Sequence, residues 1–382
     1  MDFLKRTWAE IDLRALAHNY QVIRKQVGPA CKIMAVVKAD GYGHGDLQVA
    51  SVFQKEGADW FAVSNIEEAM HLRQGGITRP ILVLGYTPAD RTEQLCANNI
   101  SQTVFSLEYA RQLSQQAKEA GITVNCHLKL DTGMSRLGFL CDPEHFDGSM
   151  KEIAETVALP GLACSGIFTH FACADEKNPD SDAFTFLQFE RFEKAVEELK
   201  NRGIRFLLHH CCNSAATLRF PQMFLDMVRP GILLYGYCPA PEAEGVNDLG
   251  LLPVLTLKSR VAAVREIPAG TFVSYGRTAK LERDTRLAVL PIGYGDGFSR
   301  HFSDRMEVLL HGQRCKVVGR VCMDMCMVDV TDVPEVKAGD IAVIYGRDGL
   351  LEHAAQLADT IPYELLCNVN PRVPRVYLDS GR

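Results

Sequence analysis

The chain has 382 residues, 47% of them apolar and 23% charged, with a formal net charge of −6. That length exceeds one ordinary compact domain, and that composition excludes a disordered or fibrous chain. The net negative charge offers no hold to nucleic acid or an anionic membrane, and no apolar run reaches the roughly 18 residues that cross a bilayer.

In chain order, the opening MDFLKRTWAEIDL lacks the apolar stretch of a signal peptide. Eight apolar runs follow: KIMAVVK (32–38), WFAVS (60–64), ILVLG (81–85), QTVF (102–105), CHLKLD (126–131), GIFTHF (166–171), FLLHHC (206–211) and FLDMVRPG (224–231). Helix-like stretches lie between them, such as IEEAMHLRQGG and FTFLQFERFEKAVEELKNRG, whose apolar residues recur mostly at helical spacing. Eight strand–helix repeats predict an N-terminal (β/α)₈ TIM-type barrel over residues 1–240, with a doubly wound open sheet as the structural alternative.

The segment CPAPEAEGVNDLG, rich in Pro, Gly and acids, marks a domain boundary. Beyond it the runs SRVAAVREI, TFVSYG, RLAVLPIGYG, MEVLLHG, RCKVVGRV, MCMVDV and DIAVIYG predict a small β-rich C-terminal domain over 241–382. One short helix near HAAQLADTIPYELL closes it. Thirteen scattered cysteines, many in such runs, read as reduced core thiols of a cytoplasmic protein. No metal is expected. His209, His210, Cys211 and Cys212 are consecutive strand residues that point to alternating faces, and Cys322 and Cys326 lack paired zinc spacing.

The strongest chemical signal is AVVKADGYGHG (35–45): a lysine ends an apolar strand and a glycine-rich turn follows. Barrel enzymes place their chemistry at this strand edge, and a partly desolvated lysine there can lose its proton and form a Schiff base. The string resembles the cofactor-lysine motif of alanine racemases, a family of fold-type III enzymes that use pyridoxal 5′-phosphate, and the resemblance runs through the whole chain in order. It implies that Lys38 carries the cofactor and that Tyr42 binds its phosphate. In KLDTGMSRLGF, it implies that Arg136 contacts the cofactor's 3′ oxygen and the substrate carboxylate. Lys129 sits where several racemases carry a carbamylated lysine. THFACAD places His170 near the pyridine ring, and HCCNSAA places Asn213 and Ser214 near the phosphate. MVRPGILLYG places Arg229 at the pyridine nitrogen and the amides of Gly231 and Ile232 at the phosphate.

Racemisation needs a base on each face of Cα. The resemblance implies Lys38 for one and Tyr275, in VSYGRT, for the other. An ordinary tyrosine, with a pKa of about 10, needs nearby cations to act at neutral pH, and the resemblance places Arg229 and His170 there. It also implies a head-to-tail homodimer, in which Tyr275 and Met323 (GRVCMDM, with Asp324 beside it) serve the partner's site, and an entrance-gate role for Tyr294.

One motif departs. Alanine racemases commonly carry a tyrosine directly before Arg-Val-Pro-Arg, whereas this chain reads CNVNPRVPR, with Asn370 and Pro371 at that place. The change is similar to the racemase domain of vancomycin-resistance serine racemases. A roomier, more polar pocket near Asn370 predicts an L-/D-serine racemase that also accepts alanine and supplies cell-wall precursors. The enzyme is expected in the cytoplasm, alone or as the cytosolic part of a longer membrane protein. The alternatives are a dedicated alanine racemase, a decarboxylase of the same fold type, and a non-catalytic cofactor carrier; the last is disfavoured by residues 241–382.

Overall fold

The computed structural model describes residues 6–239, 249–346, 348 and 350–379. The expected domain boundary at 240/241 lies outside the described residues. The chain divides into two compact units: Ala17–Gly41 with Asp46–Leu251, and a second holding the described residues up to Leu16, Tyr42–Gly45 and the chain from Leu252 onward.

The strands in chain order begin with β1 (Thr7–Asp12) of the C-terminal unit. The barrel unit then contributes β2 (Lys32–Val36), β3 (Trp60–Val63), β4 (Ile81–Val83), β5 (Ile100–Val104), β6 (Val124–Asp131), the short β7 (Phe139–Leu140), β8 (Leu162–Phe168), β9 (Leu208–His210) and β10 (Met227–Val228). Every predicted barrel run overlaps one of these strands. They pair in parallel in the order β10-β2-β3-β4-β5-β6-β8-β9, with β7 attached to β6. The backbone bonds Asp226 N–H to His209 O (3.2 Å) and Arg229 N–H to Cys212 O (2.9 Å) bring β10 against β9 and all but close the ring. Parallel strands covered on both faces must be apolar throughout, and β5 is buried at every residue.

The helices start and stop where local chemistry dictates. The long helix Pro179–Asn201 opens on Asn178, whose side chain accepts the Ser181 N–H, with Pro179 in the first turn. Its buried stripe is Thr185, Gln188, Phe192, Ala195 and Leu199. Inside the barrel, His127 stands opposite Gly166 in register, where a Cβ would lie 2.5 Å from the His127 ring.

The C-terminal unit is β-rich. Its strands are β11 (Leu255–Arg260), β12 (Ala263–Ile267), β13 (Phe272–Val273), β14 (Ala279–Lys280), β15 (Thr285–Leu290), β16 (Glu307–Leu310), β17 (Gln313–Lys316), β18 (Cys326–Asp329), β19 (Ile341–Tyr345) and β20 (Arg375–Leu378). A six-stranded sheet runs β17-β16-β19-β11-β1-β20, a three-stranded sheet β12-β15-β18, and a hairpin β13-β14. Thr7–Asp12, assigned from sequence to the barrel domain, therefore belongs to this unit's sheet: it pairs antiparallel with β11 and parallel with β20. The single predicted helix is two, Leu350–Leu357 and Pro362–Cys367. Pro362 lacks an N–H and drives Ile361 into extended backbone, which ends any continuous helix.

Candidate active site

The chain beyond β2 is unusual from its first residues. Lys38 opens a tight turn in which Ala39, Asp40, Gly41 and Tyr42 all have φ between 53° and 59°. Only glycine takes this left-handed region freely, and other residues are strained there by about 1–2 kcal/mol each. Side-chain oxygens hold the turn. Glu68 accepts the N–H groups of Ala39 (2.8 Å) and Ser64 (2.7 Å), and Asp40 accepts that of Asp46 (3.0 Å). Such strain persists where the surroundings over-determine it, commonly at functional sites. Tyr42 ends the turn, buried, its ring 5.9 Å from that of Tyr363.

The other predicted residues of the barrel unit follow the C-terminal ends of their strands. Arg136 lies in the turn after β6, where Asp131 accepts the backbone N–H groups of Gly133, Ser135 and Arg136 at 2.9–3.0 Å. His170 follows β8. Asn213 caps the short helix after β9, accepting the Ala216 N–H. Ser214 is buried and accepts the Gly231 N–H at 2.7 Å, so that amide, expected to face a phosphate, is engaged by a hydroxyl. Ile232 opens the 3₁₀ turn Ile232–Tyr235.

Arg229 is the hub. It is buried, and its guanidinium donates to Thr169 O (2.7 Å), Cys211 O (2.9 Å), His210 Nδ1 (2.9 Å) and His170 Nδ1 (3.3 Å). Its ring neighbour is Phe168, 5.2 Å from Arg229 Cζ and stacked on His210. A guanidinium has no acceptor, so His210 must offer a bare Nδ1 to Nη1; Nη2 has two hydrogens for Thr169 O, Cys211 O and His170 Nδ1, and the longest of these contacts, to His170, is a shared one. His210 then carries its proton on Nε2 and donates it to His127 Nδ1, 3.0 Å away. Burial, followed by the charge of Arg229, depresses all three histidines, His127 to about 3, and all stay neutral, so His170 is not the cation expected to assist Tyr275. Arg229 is itself lowered to about 10 by burial and remains charged at neutral pH. Lys129, buried on β6, is lowered to about 8 by burial and then by Arg136 and Arg229. Sequence reasoning missed His127 and His210 as part of this network; the signal was a histidine inside each apolar strand run. His209 turns instead to Asp226, at 2.7 Å, so the His-His-Cys-Cys run diverges.

The C-terminal unit gathers the remaining predicted residues. Asp296 is buried and receives both Nη atoms of Arg6 (2.8 and 2.7 Å) and Nε of Arg372 (2.8 Å). Arg372 also reaches Asp324 at 2.8 Å. Backbone bonds tie the loops together: Tyr294 N–H to Cys322 O, Gly295 N–H to Met323 O, and Asn370 N–H to Asp296 O. Gly293 is obligatory there, since a Cβ would sit 2.2 Å from Cys322 O. Tyr275 is presented on a second strained turn, with Ser274 at φ 64°, Gly276 at 73° and Arg277 at 52°. Ser274 Oγ anchors it to Arg320 O at 2.6 Å. Tyr275 (68%), Met323 (53%), Met325 (50%) and Tyr294 (43%) are all exposed. Beside them lies a cavity of about 680 Å³ lined by apolar residues including Phe272, Val273, Leu287 and Met325.

A phosphorylated cofactor fits the barrel mouth. Every acceptor on buried Arg229 is neutral, and Lys38, Lys129 and Arg136 add further positive charge around His170. A buried guanidinium whose acceptors are all neutral, as at Arg229, calls for an anionic ligand. With a lysine at the barrel's C-terminal edge, these features define a barrel enzyme built around an anionic carbonyl cofactor.

Comparison with known proteins narrows this. The alanine racemase N-terminal domain family matches residues 11–239, and the alanine racemase C-terminal domain family matches 254–377. The chain is 46% identical over 372 residues to an alanine racemase of Desulforamulus reducens, covering 97% of this chain and 98% of that one. It is 45% identical over 382 residues to that of Clostridium perfringens, covering 99% and 97%. Among solved structures, alanine racemase of Streptomyces lavendulae superposes with a TM-score of 0.92 at 36% identity, covering 98% of each chain. That of Clostridium difficile 630 gives 0.91 at 38%, covering 97% and 95%. The chain belongs to the alanine racemase family. It is an amino-acid racemase that uses pyridoxal 5′-phosphate. Nothing in these matches singles out the serine racemases of vancomycin resistance. No described helix is long and apolar enough to cross a membrane.

Proposed function

We propose that the protein interconverts L- and D-alanine, supplying D-alanine for cell-wall precursors, with Lys38 and the partner subunit's Tyr275 as the two bases at Cα. The observation that carries this reading is the buried, uncompensated Arg229 among neutral histidines. When bound, pyridoxal phosphate withdraws electrons from the substrate and acidifies its Cα proton. Lys38 holds the cofactor and moves a proton with Nζ on one face; Tyr275 does so with its hydroxyl on the other. Arg229, placed by family resemblance at the ring nitrogen, donates only, so that nitrogen stays unprotonated and electron withdrawal is restrained. That restraint disfavours amino-group transfer and suits an enzyme that only moves one proton. Arg136 offers its cation to the substrate carboxylate, and Asn213, Ser214 and the Ile232 amide take the phosphate, with Tyr42 assigned there by family resemblance alone. The partner subunit's Met323 offers its backbone N–H, and Tyr294 narrows the entrance.

The shared-site dimer is supported by the exposed group of Tyr275, Met323, Met325 and Tyr294. Isolated apolar residues on a surface are ordinary, whereas Tyr275 and Met325 line one apolar cavity beside a strained turn, as an interaction face would. The serine preference expected from Asn370-Pro371 gains no such support. Asn370 Oδ1 accepts the Arg372 N–H at 3.0 Å, which ties that oxygen to its own turn. The relatives compared above are named alanine racemases.

One experiment tests the reading. Lys38→Ala and Tyr275→Phe proteins, each inactive alone, are mixed under conditions of verified subunit exchange and supplied with L-alanine or L-serine. D-alanine formation returns and exceeds D-serine formation. No return of turnover contradicts the shared site, and faster serine turnover restores the serine reading.

A further inference from the structure

Gln188 stands out in the helix Pro179–Asn201. It occupies the middle of the buried stripe that runs through Thr185, Phe192, Ala195 and Leu199, and it is fully buried. A carboxamide at a core position is costly unless it is hydrogen-bonded. Gln188 Oε1 accepts the Ala172 N–H at 2.9 Å, while Nε2 donates to His170 O at 3.2 Å and to Thr132 Oγ1 at 3.3 Å. The side chain thus pairs with the backbone on both sides of Phe171, as a neighbouring strand would. One turn further along the helix, Arg191 Nη1 donates to Thr132 O at 3.0 Å.

Thr132 roots the turn that carries Arg136. Its hydroxyl meets Thr169 Oγ1 at 2.8 Å, and Thr169 Oγ1 donates to Leu130 O at 3.0 Å. Thr169 O in turn receives Arg229 at 2.7 Å. The loop after β6, the loop after β8 and the Arg229 guanidinium are therefore joined by buried polar contacts, once through the two threonine hydroxyls and again through the Gln188 amide.

We infer that Gln188 is a positioning residue of the active site, locking His170 and the Arg136 turn in fixed relation to Arg229. It touches neither substrate nor cofactor. An amide is required because the role needs an acceptor for the Ala172 N–H and a donor for two oxygens at once. Glutamate of the same shape keeps the acceptor and sets a second oxygen against His170 O and Thr132. Methionine keeps the volume and loses every bond. The inference rests on the reading of Arg136, His170 and Arg229 as cofactor and substrate residues.

The test uses the full-length holoenzyme carrying Gln188→Met, Gln188→Glu, Thr132→Val or Thr132→Ser. Three quantities are read: the rate of cofactor loss on dilution, kcat and KM separately, and the melting temperature. Sub-ångström looseness at a catalytic constellation costs up to about a hundredfold in rate. Both Gln188 variants are expected to lose cofactor roughly tenfold faster and to drop kcat/KM by roughly ten- to a hundredfold, largely in kcat, while still melting as folded protein. Thr132→Val shifts both in the same direction, and Thr132→Ser, which keeps the hydroxyl, restores them. Folded Gln188 variants whose cofactor loss and kcat/KM stay within about twofold of the parent overturn the inference. If neither Gln188 variant folds, the threonine pair decides: indistinguishable Thr132→Val and Thr132→Ser enzymes overturn it. Retained turnover in Lys38→Ala sinks the reading of the site and leaves the cofactor-loss result on Gln188 standing, so the two failures are separable.

Discussion

Arg229 in the barrel unit and Asp296 in the C-terminal unit are both buried charges, and their surroundings are opposite. Asp296 is compensated twice over, by Arg6 and Arg372, and its carboxylate also accepts the Gly293 N–H at 3.0 Å. Arg229 has four neutral acceptors and lies in a field made more positive by Lys38, Lys129 and Arg136. A compensated buried charge fixes loops in place. An uncompensated one leaves charge for a ligand to satisfy, and holds neighbouring histidines neutral until it does. The barrel hub is therefore built for chemistry, and the C-terminal hub for holding Tyr294, Met323 and Asn370 together.

This contrast breaks most sharply at Arg229. Arg229→Glu removes the charge that, after burial, holds His170 and His210 down, and sets a carboxylate beside both rings. Both histidines rise from their depressed values, as read by NMR titration, while burial continues to hold them down. Racemase kcat/KM falls by roughly 10²–10³-fold, the usual effect of losing one preorganised electrostatic partner. An unchanged kcat/KM with unmoved histidines means the hub has no part in the chemistry.

Asp296→Asn is expected to reverse the balance of effects. It strands Arg6 and Arg372, both partly exposed, and costs about 3 kcal/mol in urea unfolding. The accompanying loss in kcat/KM is smaller than that of Arg229→Glu. A stable Asp296→Asn protein that has lost its activity contradicts the scaffold reading.

Lys129 gives the smallest and most specific effect. Its pKa is lowered from 10.5 to about 8, first by burial. Between those values the unfolded chain binds more protons than the folded one, so this group makes stability rise with pH from about 8 to 10.5 and is a full penalty below. In carbonate-free buffer, where Lys129 is a plain amine, Lys129→Met should flatten that rise and stabilise the protein at pH 7. An unchanged pH slope in denaturant unfolding contradicts the assignment.

Much of the barrel was legible because fully buried parallel strands are written as short continuous apolar runs. The motifs singled out Lys38, Arg136 and Arg229, and each follows the C-terminal end of a barrel strand. Other features depend on distant pairing. Thr7–Asp12 becomes a strand only through β11 and β20, more than two hundred residues away in sequence. Gln188 sits in an apolar stripe, and helical periodicity alone treats such a position as packing. The left-handed turn Ala39–Tyr42 contains only one glycine, Gly41, so no local preference announces it. Sequence also gave no sign that the Asn370 oxygen accepts the Arg372 N–H within its own turn.

The account turns on two bases acting at opposite faces of one carbon, and solvent exchange tests this most directly. Tyr275→Phe enzyme is incubated in deuterated water with D-alanine or L-alanine, and Cα–H loss is followed by NMR. Family resemblance assigns Lys38 to the proton of the D-enantiomer and Tyr275 to that of the L-enantiomer. The account predicts that exchange survives from D-alanine and fails from L-alanine. Equal loss from both, or exchange from L-alanine alone, contradicts it.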